Sequence, residues 1–507
     1  MNARNRIAVG MSCVALAASV ASADVVPSTL FSDHMVLQRE KPVAVWGKAD
    51  VGEVVTVTFA GQSKQATAGA DGKWSVTLDP LTADKSGAAL TIAGKNTVTL
   101  NDVLVGEVWI CSGQSNMEWN LAAARNGKDE VANANHPTMR LFNGVPRRHP
   151  STQPLENVEA SWQVCSPDSA KNFSAVGYFF GVKLSEKLDV PIGLINASWG
   201  GMPAESFTPV PKLTGPVLQP IVDEWEARLA HYDDDMAKWR ADREKWAATT
   251  QAATTQPLPR EPARPAGINA PNRPGNLWNG MIHPLVPYGI RGAIWYQGES
   301  NAGKAEQYDV LFPTMITAWR EAFGQGDFPF YAVQLANFMA PTDDPNKASG
   351  WARLRESQRL TSLNTKNVGQ AVIIDIGEEK DIHPKNKQDV GDRLARLALV
   401  ETYGLKDVVK QGPTPGTVEF KDGAVSVQFE TLGDGLIARG DLAHSFSVAD
   451  ADGKWAWATA KIDGDRVTLT SDSVKEPVAV RYLWADNPTA TLFNKTGLPA
   501  TPFEAKK

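Results

Sequence analysis

Trp109-Ile110-Cys111-Ser112-Gly113-Gln114-Ser115-Asn116-Met117-Glu118-Trp119 is the stretch whose reading decides the fold. The apolar residues Val103-Leu104-Val105 and Val108-Trp109-Ile110 lead into a small polar cluster with one glycine. That pattern predicts a buried strand delivering a tight turn at its carboxyl end. In open α/β sheets ligands bind beyond the carboxyl ends of strands. Ser115, two residues after Gly113, is therefore a candidate nucleophile. The block differs from the Gly-x-Ser-x-Gly elbow, because Met117 stands where the second glycine belongs. A serine that merely caps a strand-to-helix turn is the alternative, and the choice depends on what the rest of the chain brings to the same place.

Outward from this block, residues 101–404 read as strands alternating with helices. Ala175 to Leu188 is amphipathic, and Pro191-Ile192-Gly193-Leu194-Ile195-Asn196 is the strand after it, ending in Ala197-Ser198-Trp199-Gly200-Gly201. Gly292 to Tyr296 runs into Gln297-Gly298-Glu299-Ser300-Asn301. Phe330 to Gln334 and Ala371 to Asp375 continue the strands, with helices at Trp351 to Leu363 and Val390 to Leu399. Such alternation predicts a mainly parallel sheet covered by helices on both faces. Residues 210–276 break the pattern. Trp225, Leu229, Tyr232, Met236, Trp239 and Trp246 form one helix stripe, and six prolines between Pro257 and Pro274 predict an extended return.

Short β-rich runs fill both flanks: Val43 to Gly47, Val54 to Phe59 and Trp74 to Leu78 within 24–100, and Ala424 to Val427, Arg466 to Leu469 and Val478 to Tyr482 within 405–507. Turn residues punctuate them, which predicts an amino-terminal β-sandwich domain and a carboxy-terminal β domain around the catalytic one. Residues 1–23 carry Arg4 and Arg6, then an apolar run, then Ala21-Ser22-Ala23. This reads as a cleaved signal peptide and predicts a secreted or periplasmic protein without a membrane anchor.

The 507 residues carry a net charge of −6 and no basic arm, which excludes a nucleic-acid-binding class. Past the leader only Cys111 and Cys165 remain, either paired or buried as free thiols. No Cys/His grouping has zinc-ligand spacing. Oligomeric state is open.

Three strand ends thus converge: Ser115, the Gly200-Gly201 turn, and Gln297 to Asn301. Asp381-Ile382-His383-Pro384-Lys385-Asn386 is the fourth piece. Among the seven histidines, His383 stands out for the aspartate two residues before it, whereas His283, before Pro284, reads as structural. In this order Gly113 to Met117, Trp295 to Asn301 and Asp381 to Pro384 resemble the sialate O-acetylesterase family of SGNH/GDSL hydrolases. Leu30 to Gln38 and Asn196 to Gly201 extend the resemblance over most of the chain after the leader. It implies a three-layer α/β/α SGNH-type sheet flanked by β domains, and a serine carboxylesterase acting on O-acetylated sugars without cofactor or metal. Ser115 is then the nucleophile, His383 the base, and Asp381 or Glu299 the acid that orients it. The wider superfamily spaces that acid three residues before the histidine, where this chain has Lys380. The Ser115 N–H, Gly200, Gly201, Gln297 and Asn301 are the candidate oxyanion donors. An acetyl xylan or hemicellulose esterase of the same fold, or a non-catalytic carbohydrate-binding protein, are the competing readings.

Overall fold

The computed structural model describes residues 24–145, 148–252 and 260–507. Residues 1–23, expected to be a signal peptide, and Pro257 and Pro259 of the proline-rich return lie outside the described residues.

The quoted block closes strand β1 (Thr97–Gly113), whose 17 residues span two environments. Its first half pairs with Asp84–Ala93 and Val36–Gln38 of the amino-terminal β region. Its second half, fully buried, runs through the middle of a parallel sheet. The further strands are β2 (His136–Asn143), β3 (Trp162–Cys165), β4 (Ile192–Ser198), β5 (Gly292–Tyr296), β6 (Phe330–Val333) and β7 (Val368–Ala371), in the order β3-β2-β4-β1-β5-β6-β7. Only β3, at one edge, is antiparallel to its neighbour. Every residue of β4, β5 and β6 is buried, as expected where helices cover both faces.

Two helices, α2 (Ala175–Leu188) and α7 (Lys387–Leu397), pack on one face with Trp109, Cys111 and Leu194. On the other face, α5 (Ala305–Phe323) and α6 (Gly350–Asn364) enclose Ile110, Trp295 and Phe330. This is the three-layer α/β/α arrangement expected from the alternation. The short helix α1 (Ser115–Glu118) starts directly after β1.

Several details differ from the sequence reading. The apolar run Val372-Ile373-Ile374 leaves the sheet after Ala371. Val372 and Ile374 instead join the core of the carboxy-terminal β sheets with Val427, Phe446 and Tyr482, and an apolar run does not itself reveal which core it enters. The 210–276 stripe is two helices, α3 (Gly215–Ala230) and α4 (Tyr232–Ala252), interrupted at His231. Of the two readings open for Cys111 and Cys165, the buried free thiols are what the structure holds. His283 Nδ1 donates to the Leu155 carbonyl oxygen, 3.0 Å away.

Carboxy-terminal to α7, the chain forms two four-stranded antiparallel sheets and one two-stranded sheet. The buried Arg355 of α6 clips them to the sheet's carboxyl end, donating to Leu335 O and Ala336 O after β6 and to Ala485 O and Asp486 O beyond.

Candidate active site

The backbone at the end of β1 explains why Ser115 is presented where it is. Gly113 has φ 132°, and a Cβ there would lie 2.2 Å from the Tyr296 carbonyl oxygen. Only glycine allows β1 and β5 to close this far before the chain turns. The ladder then finishes across three strands: Gln114 N–H donates to Tyr296 O (2.9 Å), and Trp199 N–H donates to Gly113 O (3.0 Å). Ser115 follows at the first position of α1, where its N–H faces no carbonyl of a preceding turn.

His383 reaches it from the loop before α7. His383 Nε2 stands 2.8 Å from Ser115 Oγ. The imidazole stacks on Trp119, with ring centroids 5.2 Å apart and planes at 20°. Asp381 Oδ1 accepts the His383 N–H at 2.9 Å and lies 3.6 Å from Nδ1. Burial, and then the cation of Lys387, push the imidazole below its ordinary value of 6.5 while Asp381 pulls it back up. A neutral ring with Nε2 toward a hydroxyl can accept that hydroxyl's proton.

Glu299 is placed differently. Its Oε1 accepts from Asn116 Nδ2 at 2.7 Å, and its Oε2 meets no partner among the described residues. Burial raises this carboxyl above the usual range, against the opposing effects of Asn116 and Lys387. Its hydrogen bond goes to the residue after the serine, and none goes to the imidazole.

The candidate oxyanion donors fall into two groups. Gly200 lies against the nucleophile, since a Cβ there would be 3.3 Å from Ser115 Cβ. Its N–H donates to Glu118 Oε2, which Arg148 also approaches at 2.9 Å. Gly201 is exposed, with φ 73°. Gln297 and Asn301 are buried and bonded to one another: Gln297 Nε2 donates to Asn301 Oδ1 (2.6 Å) and to Met202 O (3.3 Å), and Tyr308 OH donates to Gln297 Oε1 (2.9 Å). Asn301 Nδ2 donates to Glu205 Oε2 at 2.9 Å, leaving one amide hydrogen uncommitted.

Sequence reasoning passed over five residues that border this site: Asn116, Glu118, Trp119, Arg148 and Lys387. The first three lie inside the quoted block itself. Lys387, four residues past His383, carried a weaker signal, a lysine opening a helix. Arg148 carried none; its guanidinium covers the Trp199 ring at 4.3 Å and donates to Ser198 O.

The chain is similar to known proteins in sequence and in structure. Residues 273–400 match the family described as carbohydrate esterase, sialic acid-specific acetylesterase. The sialate O-acetylesterase of Mus musculus is 30% identical over 94% of both chains. That of Homo sapiens is 28% identical over 94% of this chain and 92% of its own. Among solved structures, a carbohydrate acetylesterase from Xanthomonas citri superposes with a TM-score of 0.79 at 37% identity, covering 96% of this chain and 100% of the other.

Proposed function

Because this chain belongs to the sialate O-acetylesterase family of carbohydrate esterases, we propose that it hydrolyses O-acetyl esters of sugars through an acetyl-serine intermediate. The observation that carries the reading is the 2.8 Å contact between His383 Nε2 and Ser115 Oγ at the carboxyl end of β1. A serine hydroxyl is a poor nucleophile at its free pKa and needs an adjacent base. His383 takes the proton as Oγ attacks the acetyl carbonyl, then returns it to the departing sugar oxygen. Water repeats the sequence on the acetyl-serine and releases acetate.

Asp381 orients the imidazole and favours its charged form as it develops. Its two approaches to His383, one at the backbone N–H and one at Nδ1, support it over Glu299. The tetrahedral oxyanion forms beside the Ser115 N–H and the Gly200-Gly201 turn, where the Gly200 N–H would have to leave Glu118 Oε2 to donate to it. Of the two side-chain candidates, Asn301 has a free amide hydrogen to offer, whereas Gln297 has both engaged and would have to give one up. The substrate is a short acyl ester on a sugar, sialic acid being the one named for the mammalian relatives. The leader at residues 1–23 supports export and action outside the cytoplasm; among the described residues no helix is long and apolar enough to cross a membrane.

The purified chain should release p-nitrophenol from p-nitrophenyl acetate faster than from the octanoate, and acetate from O-acetylated sialic acid. Ser115→Ala should abolish both, and a serine-directed organophosphonate should label Ser115. Turnover retained in Ser115→Ala, or labelling at Ser112, would refute the nucleophile assignment. Faster turnover of the octanoate would refute the short-acyl reading.

A further inference from the structure

Asn116 follows Ser115 and is almost fully buried. Its amide has three partners on two other loops. Nδ2 donates to Glu299 Oε1 (2.7 Å) after β5 and to Ile382 O (3.0 Å) immediately before His383. Oδ1 accepts from Lys387 Nζ (2.5 Å), four residues after His383. One side chain therefore grips the His383 loop on both sides of the imidazole while its backbone carries the nucleophile.

Lys387 is 0% exposed. Its ammonium lies 5.3 Å from the Tyr296 ring centroid and 5.8 Å from that of Trp119, the indole on which His383 stacks. No carboxylate comes within 4.0 Å of it among the described residues; its opposite charge, Glu299, is reached through the Asn116 amide. Burying an ammonium carries a desolvation penalty that a methionine of similar volume would avoid. Packing alone gives no reason for a lysine here.

We propose that Lys387 is a positioning residue of the Ser115–His383 pair. It holds the nucleophile turn against the base loop through Asn116, with Glu299 as its buried counter-charge. This rests on the reading of Ser115 as nucleophile and His383 as base.

Electrostatics gives the lysine a second effect. The groups facing it are Glu299, Asp381, Glu378, His383 and the Tyr296 phenol. Burial pushes the amine down to about 7, while the three carboxylates work in the opposite direction. When charged, it disfavours a second cation on His383 and so keeps the imidazole in its proton-accepting form.

The test uses the full chain with p-nitrophenyl acetate as substrate. Lys387→Met should lower kcat by about 10- to 100-fold with KM within about twofold of wild type, since misplacement of a reacting group weighs on the chemical step. The acid limb of kcat/KM should move to higher pH, because the imidazole loses a neighbouring cation. Asn116→Ala should lower kcat similarly, and the double variant should lose no more than the worse single one, because both act through one bridge. Should the methionine variant fail to fold, Lys387→Gln removes the charge while retaining a donor for Asn116. It should shift the acid limb the same way with a smaller loss of kcat. Wild-type kcat in Lys387→Met, an unmoved acid limb in either variant, or losses that multiply in the double variant would each overturn the proposal. Ser115→Ala separates the two readings. If it is inactive while Lys387→Met behaves as wild type, only the positioning role falls; if it is active, the nucleophile assignment has failed first.

Discussion

His383 is the residue on which the chemistry turns, and its surroundings set a pH dependence of definite sign. The neutral imidazole is the active form, so kcat/KM should rise as pH climbs through its pKa. Burial and Lys387 hold that pKa below 6.5, so the acid limb should lie below that value. Asp381 opposes both. Asp381→Asn should therefore move the acid limb to still lower pH, opposite to the shift expected from Lys387→Met. It should also reduce turnover by more than about tenfold, as loss of an orienting acid does. Glu299→Gln, measured beside it, tests the competing carboxylate. If Asp381→Asn stays within about tenfold of wild type while Glu299→Gln collapses, the orienting role passes to Glu299.

At the scale of elements, the site depends on strands ending in register. Gly113 pairs with Ser198 of β4 and Tyr296 of β5, so all three loops leave the sheet at one level and the serine turn is pinned between the other two. Gly113→Ala should be among the most damaging single-methyl additions in the protein. The new Cβ meets a carbonyl oxygen at 2.2 Å and the φ of 132° is strained for any L side chain. We expect a loss of about 1–3 kcal/mol of stability from backbone strain alone, with reduced labelling of Ser115 by the organophosphonate. Urea unfolding measures the first. A variant of wild-type stability would show that β1 and β5 can part without cost. On the far side of the sheet, α7 begins at Lys387, so the helix that covers one face also anchors the base loop.

Across the whole molecule, Glu107 joins regions far apart in the chain. It is fully buried in β1 and receives Arg39 Nε (2.5 Å), Arg291 Nε (2.6 Å) and Gln38 Nε2 (3.1 Å). Glu107→Ala leaves two guanidiniums with only Glu40, at 3.6 Å from Arg39 and 3.2 Å from Arg291, as carboxylate partner. Removal of one member of a buried pair costs about 3–5 kcal/mol, and the lower end applies because both arginines keep Glu40 and some contact with water. An unfolding free energy, measured by denaturant titration, that falls by less than about 1 kcal/mol would count against this role. These distant pairings mark the limit of what the sequence by itself determined. Local periodicity determined which runs are strands and helices: β5, α2 and α6 stand within a residue or so of where Gly292 to Tyr296, Ala175 to Leu188 and Trp351 to Leu363 placed them. Spacing of Ser115, the Gly200-Gly201 turn, Gln297 to Asn301 and His383 drew attention to four stretches. Their side-chain geometry is tertiary. Whether Val372 and Ile374 continue β7 or enter another core, whether Glu299 faces the imidazole or Asn116, and whether Lys387 is solvated or buried all depend on which surfaces meet. Periodicity reports a residue's own element; it carries no information about the element packed against it, and buried charges are decided there.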